Sequence, residues 1–329
     1  MRVDLSLLML AGARGHAWAL SDSAGGPLAG LALTRAGNEV TVHLARVSQG
    51  PLQDVLARYI VQYLGAATAI DEHTLVRVID PHLPPAVHDS LASAGFEQAA
   101  GIYVAPRLRG LLSATDAAHA LCELSGNALD GSKVLRRVDQ ISRDGASPTE
   151  FLALEAACAP LTLAEPSIPV WSVPIRPQYA WELLGVGESL FTRKDSLGIS
   201  VEHVYYTGAT ALPPAGSRVL WYVSGENTPA YVAQSVVAAS GRVPWKEAFR
   251  SNRRLGIYTR DEVRKAASPS GKVGYITFGR TRPLPRAVAL DRANVMASDL
   301  GTKMMLRSPW QLPAALATEL MEVAFELKQ

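Results

Sequence analysis

Two cysteines in 329 residues, Cys122 and Cys158, are too few for a disulfide framework. Both sit in Ala- and Leu-rich surroundings and read as buried thiols of a reducing compartment. No Cys/His group has the spacing of a structural zinc site. Long hydrophobic runs are absent: Leu5–Leu10 is too short for a membrane span. With Asp4 before that run and Arg14 and His16 after it, the segment is also a poor signal peptide. There is no internal repeat and no low-complexity segment. Net charge is small, +2 over the chain. These absences predict a soluble cytoplasmic protein with no metal and no membrane partner. With 48% hydrophobic residues, the chain exceeds one ordinary core and should form about two domains.

The near-neutral total conceals a strong asymmetry. Between Gly241 and Trp310 stand 15 Lys or Arg against 5 Asp or Glu, a local balance of +10, so the remainder sums to −8. Self-repulsion works against such a field unless a partner uses it. A clustered basic face suits a polyanion, because neutralising phosphates releases condensed counterions. RNA or DNA is therefore the first partner to expect, and the alternative is a basic surface that is merely solvated.

Residues 16–47 alternate as half-buried strands, with turns at Ser23–Pro27 and Ala36–Asn38. Gly50-Pro51 opens a helix carrying Leu52, Val55, Leu56, Tyr59, Ile60 and Tyr63 at helical spacing, and Gly65 is expected to end it. A short strand at Leu75–Ile79, a helix at 84–94 and a strand pair at 96–105 follow. Residues 108–160 read as helical, and Ser147-Pro-Thr-Glu150 has the form of a capping box. From Ile168 the texture changes to short strands with Gly- and Pro-rich turns, at 170–175, 200–206, 218–224, 230–239 and 272–278. Helices are expected at 178–184, 245–254, 260–267 and 313–327.

The order of residues 16–105, ending in Glu39–Val47, the turn Arg46-Val47-Ser48-Gln49-Gly50-Pro51-Leu52-Gln53 and the helix after it, resembles the core of the GNAT acyltransferase fold. The resemblance implies an acetyl-CoA site, its pyrophosphate held near Val47, Gln49 and Gly50 at a helix N-terminus. The second glycine of the family turn is absent, and Pro51 removes an N–H donor. If the chain is an enzyme, the resemblance implies an acyl-CoA-dependent N-acetyltransferase, with Glu39 or His43 as base and Tyr103 as acid.

Val173-Pro-Ile-Arg-Pro-Gln-Tyr-Ala-Trp-Glu-Leu-Leu184 and Gly187-Glu-Ser-Leu-Phe-Thr-Arg193 resemble the opening of ASCH domains, members of the PUA-like superfamily. Ser189 stands where that family has Lys, and Lys194 supplies a cation nearby. The pairing is similar to a group of bacterial GNAT-plus-PUA two-domain proteins. It implies an α/β chain: a GNAT-like mixed sheet with helices over 1–110, a helical connector over 111–165, and a PUA-like (ASCH) β-barrel with inserted helices over 166–329. It also implies a nucleic-acid cleft rimmed by cations and aromatics, with RNA slightly favoured over DNA. Its residues would be Arg193, Lys194, Tyr206, Tyr222, Ser224, Arg250, Arg253, Arg254 and Arg280. A nucleic-acid-binding regulatory protein with a degenerate GNAT-like half is the leading expectation. An N-acetyltransferase acting on a nucleic acid or protein, or a protein-interaction partner of a nuclease, stands as the alternative.

Overall fold

The computed structural model describes residues 15–68, 73–125, 133–141, 146–185, 201–225 and 229–326. The chain divides into two units, Met1–Glu165 and Pro166–Gln329. Among the described residues no helix is long and apolar enough to cross a membrane.

In the first unit, β1 (Gly15–Ser21), β2 (Pro27–Ala36) and β3 (Glu39–Val47) form two consecutive hairpins. They continue through β4 (Thr74–Val78), β6 (Ile102–Arg107) and β5 (Glu97–Ala99) into a six-stranded sheet of order β1-β2-β3-β4-β6-β5. Only β3 and β4 run parallel, joined by α1 (Gln53–Thr68). That helix buries Leu56, Ala57, Ile60, Val61 and Leu64, the apolar face its spacing predicts. It does not stop at Gly65. Glycine ends a helix by turning left-handed, and Gly65 does not adopt a positive φ. Gly95 does, at φ 83°, closing α2 (Pro85–Ser93). A Cβ on Gly95 would also lie 2.5 Å from Ala157 Cα, so only glycine fits.

The segment after β6 carries β7 (Leu111–Leu112), α3 (Ala114–Ser125), α4 (Lys133–Ile141), α5 (Pro148–Ala157) and β8 (Thr162–Leu163). The reciprocal hydrogen bonds of the capping box at Ser147 and Glu150 are present. This segment folds back on the sheet. Arg107 Nη1 donates to the Ala157 carbonyl at 2.9 Å, and Leu108 N–H to the Cys158 carbonyl at 2.9 Å. Cys158 is buried as expected, and burial pushes its thiol up to about 12. Cys122 is exposed, contrary to expectation, because α3 turns Ala117, Ala120 and Leu121 inward instead.

The second unit has β9 (Val170–Ile175), α6 (Pro177–Leu184), β10 (Glu202–Thr207), β11 (Arg218–Val223), β12 (Ala230–Pro244), α7 (Trp245–Asn252), α8 (Arg260–Ala266), β13 (Lys272–Ala289), α9 (Leu290–Asp299), β14 (Trp310–Gln311) and α10 (Ala314–Phe325). Its sheet has the order β10-β13-β12-β11-β9-β14. The described pairings do not join β10 to β14, so they do not by themselves close a barrel. Val173, Ile175, Val219, Trp221, Ala233, Val237, Ile276 and Phe278 share one core cluster with Ala180, Leu183 and Leu184 of α6. Trp221 is fully buried, and its Nε1 donates to Ser235 Oγ at 2.8 Å, so burial leaves no unpaired donor. Strand β13 is far longer than its expected 272–278 stretch. It runs on through Pro283 and Pro285, where its register with β12 shifts.

Candidate nucleic-acid interface

The basic stretch enters the fold where β12 ends. Pro244 caps α7, and Trp245 N–H donates to the Gly271 carbonyl at 3.0 Å. Ala248 is buried, and Trp245, Phe249 and Leu255 pack against Val204, Tyr206, Val263 and Val273. Thr259 and Glu262 make a complete capping box that starts α8, and Val263 anchors that helix to the same cluster. One apolar seam therefore pins both helices to β10 and β13. The residues off that seam face solvent.

Those residues are largely cationic. Residues 242–272 hold nine Lys or Arg and three Asp or Glu. Lys246, Arg250, Arg253, Arg254, Arg260, Arg264 and Lys265 are all exposed. The three carboxylates compensate little. Glu262 serves the Thr259 cap and also accepts Tyr179 Oη at 2.9 Å. Asp261 pairs with Arg264 at 3.2 Å, an exposed pair of small energetic weight. Arg250, Arg253 and Arg254 make no ion pair among the described residues. Arg242 differs from them, since its guanidinium donates to the Gly208 and Ala209 carbonyls.

An aromatic ring lies within this charge. Trp245, half-buried, has the Arg260 guanidinium carbon 5.6 Å and Lys246 Nζ 5.8 Å from its ring centroid. Lys246 and Arg260 fall within the basic stretch, but neither they nor Trp245 are among the site residues expected from the sequence. The available signal was the Trp-Lys pair opening a helix inside the basic stretch.

The expected site residues separate into three groups. Arg250, Arg253 and Arg254 come together at the end of α7. Arg193 and Lys194 lie outside the described residues. Tyr206 and Tyr222 are 5% and 4% exposed, so neither offers a ring face to a base. Alternation along a strand exposes one face only if the other alone is covered, and here both faces of the sheet are packed. Tyr206 Oη donates to the Ala248 carbonyl at 3.1 Å, and Tyr222 contacts the Tyr231 ring. Burial pushes the Tyr205 and Tyr206 phenols up to about 12, so these rings stay neutral and serve packing. Ser224 lies beyond β11, with its N–H on the Ile175 carbonyl, at the opposite end of β12 from α7. Arg280 does not follow a strand but sits inside β13 at a bulge, exposed, with φ 51°. Counting from Lys272, that is about 25 Å along the strand at the usual rise, away from the α7 cations.

In the first unit, Glu39 and Tyr103 do not meet. Glu39 pairs with Leu75 and Tyr103 with Val78, and those two β4 positions point to opposite faces of the sheet. Glu39 is engaged by Arg77 Nε at 3.1 Å, and Tyr103 Oη lies 2.9 Å from His88 Nδ1. His43 is the extra residue of a bulge, 2.9 Å from Thr34 Oγ1. Beyond it β3 diverges from β4, because pairing stops at Val42 and Val78. Asp80 fills the resulting wedge. Its carboxylate accepts Ala45 N–H and His82 N–H, each at 2.9 Å, and is paired by the Arg46 guanidinium. Burial alone would raise the Asp80 pKa, but these hydrogen bonds, led by Arg46, hold it below the ordinary value.

These residues fit an acyl-CoA poorly. The strand N–H at Ala45 already has an acceptor, and an anionic carboxylate occupies the gap. Val47 is buried in its pairing with Ala29. Gln49 and Gly50 are exposed, but Pro51 follows them and Asp54 stands in the first turn of α1, where its charge opposes a pyrophosphate. Among the described residues no three His, Cys, Asp or Glu side chains gather as metal ligands.

No protein-family description matches the chain, and no curated protein does. Several solved structures resemble about half of it. The ASCH protein of Zymomonas mobilis aligns at 12% identity and a TM-score of 0.38, covering 47% of this chain and 94% of its own. Human THYN1 protein, solved in complex with 5-methylcytosine-containing DNA, aligns at 12% identity and 0.30, covering 49% and 99%. A Pseudomonas putida protein aligns at 14% identity and 0.30, covering 48% and 99%.

Proposed function

We propose that this protein binds nucleic acid through the outer face of α7 and α8, without catalysis, and that its first unit is a GNAT-like scaffold. The observation that carries the reading is the set Arg250, Arg253 and Arg254, exposed and without ion pairs among the described residues. Guanidinium groups left open on a surface anchored by an apolar seam are suited to phosphate oxygens. RNA is the favoured form, and the second unit is read as an ASCH-type, PUA-like barrel.

Fluorescence anisotropy with labelled RNA and DNA, single-stranded and duplex, across a salt series tests this. Affinity should fall steeply with salt, by about 0.7 to 0.9 log units per log unit of salt for each phosphate neutralised. The R250E/R253E/R254E variant should lose at least two units of that slope, on the order of the three contacts removed. No binding of any RNA or DNA at about 50 mM salt, or a flat salt response, overturns the proposal.

The divergence of β3 from β4 favours acyl-CoA binding as a second reading. The Asp80–Arg46 pair stands against it. Calorimetry with acetyl-CoA decides between them, and the scaffold reading expects no heat of binding.

A further inference from the structure

We infer that Trp245 is a stacking platform for an unpaired base, so that the α7–α8 face takes single-stranded nucleic acid in preference to duplex; this rests on the nucleic-acid reading of the same face. Three observations carry the inference. The first is position. Trp245 is the first residue of α7, with its backbone N–H fixed to the Gly271 carbonyl and its ring only half-buried at the edge of the apolar seam. A ring held along one side and open along the other is rigid without being covered.

The second is electrostatic. Arg260 and Lys246 lie within 6 Å of the ring centroid. At an exposed site such contacts are weak, so a base can share the ring with the guanidinium or displace it. Arg260 comes from the next helix and is exposed, so a stack of base, indole and guanidinium needs no change in the backbone.

The third is the arrangement of phosphate ligands around the ring. Lys246 and Arg250 are one helical turn apart on the same face, about 6 Å along the axis. Arg253 and Arg254 continue the cationic surface past the helix end. A backbone laid along these cations brings its bases to the start of α7, where the indole is. Stacked duplex bases cannot reach an indole at a helix edge without unpairing, whereas an unpaired base can.

The test compares wild type, W245F and W245A for binding of an oligonucleotide of about twelve nucleotides, as single-stranded RNA, single-stranded DNA and the matched duplexes. Wild type should bind either single strand more tightly than the duplex. W245A should weaken single-strand binding roughly ten-fold or more, W245F by less, and duplex binding should hardly change. The salt slope should be the same in all three, because no phosphate contact is removed. Unlabelled single strand should quench the intrinsic fluorescence of wild type, and the quench should be lost in W245F, which retains an aromatic ring for packing. If wild type binds and W245A binds as tightly with the same strand preference, or if W245F keeps the quench, the stacking assignment is wrong while the basic face stands. If wild type binds no oligonucleotide, both fall. Should W245A melt early, W245F carries the decision through strand preference and quench.

Discussion

In the first unit Arg46, Arg77 and Arg107 each have an internal partner: Asp80, Glu39 and the Ala157 carbonyl. Arg107 is fully buried, lies 4.4 Å from the Phe96 ring centroid, and is lowered to about 10 by desolvation. In the second unit Arg250, Arg253 and Arg254 project into solvent. The same side chain ties a fold together in one place and stays available in the other. What separates the two uses is local supply. β3, β4 and α5 bring carboxylates or open carbonyls to their arginines, whereas α7 offers only Glu247 in its own first turn.

If the first unit's charges are structural, the largest effect should follow from Asp80→Asn. Breaking a buried pair leaves Arg46 and two backbone N–H groups short of an anion, at a cost of about 3 kcal/mol in urea unfolding. Because the Asp80 pKa is lowered on folding, its contribution is present above the unfolded value. It is lost as pH falls through the folded one. Wild-type stability should therefore fall below about pH 4, and the Asn variant should lack that part of the pH dependence. Arg107→Ala comes next, at about 2 kcal/mol: a fully buried side chain is lost and the Ala157 carbonyl is left unpaired, partly offset by removing a desolvated charge. Neither change should alter oligonucleotide affinity under conditions where the protein is folded, and a loss of affinity in either would break the contrast between the units. The smallest effects should come from the two capping boxes. Ser147→Ala and Thr259→Ala should each destabilise by about 1 kcal/mol in thermal unfolding. Only Thr259→Ala, which loosens the helix carrying Arg260, should weaken binding.

Much of the secondary structure could be read locally. The hairpins of β1 to β3, the Ser147 capping box and the basic stretch depend on residues close in sequence, where alternation, turn chemistry and charge act directly. Features that depend on distant partners could not. Nothing around Asp80 announces that it will meet Arg46 across diverging strands. The strand at 200–206 is legible in its residues, but not the fact that Tyr205 and Tyr206 each enter a packed cluster on its two faces. The strand expected at 272–278 runs on to Ala289, through Pro283 and Pro285, because its register with β12 shifts there. Glu39 and Tyr103 were paired by family pattern, whereas one residue of strand phase puts them on opposite sides of the sheet.

The closeness of Gly95 to Ala157 fixes where this molecule can be divided for separate expression. A fragment severed near residue 110 would abandon the acceptor of Arg107, the acceptor of the Leu108 amide and the surface against which Gly95 is bare. A break between Glu165 and Pro166 leaves all three intact, so that junction is where each half should be isolated.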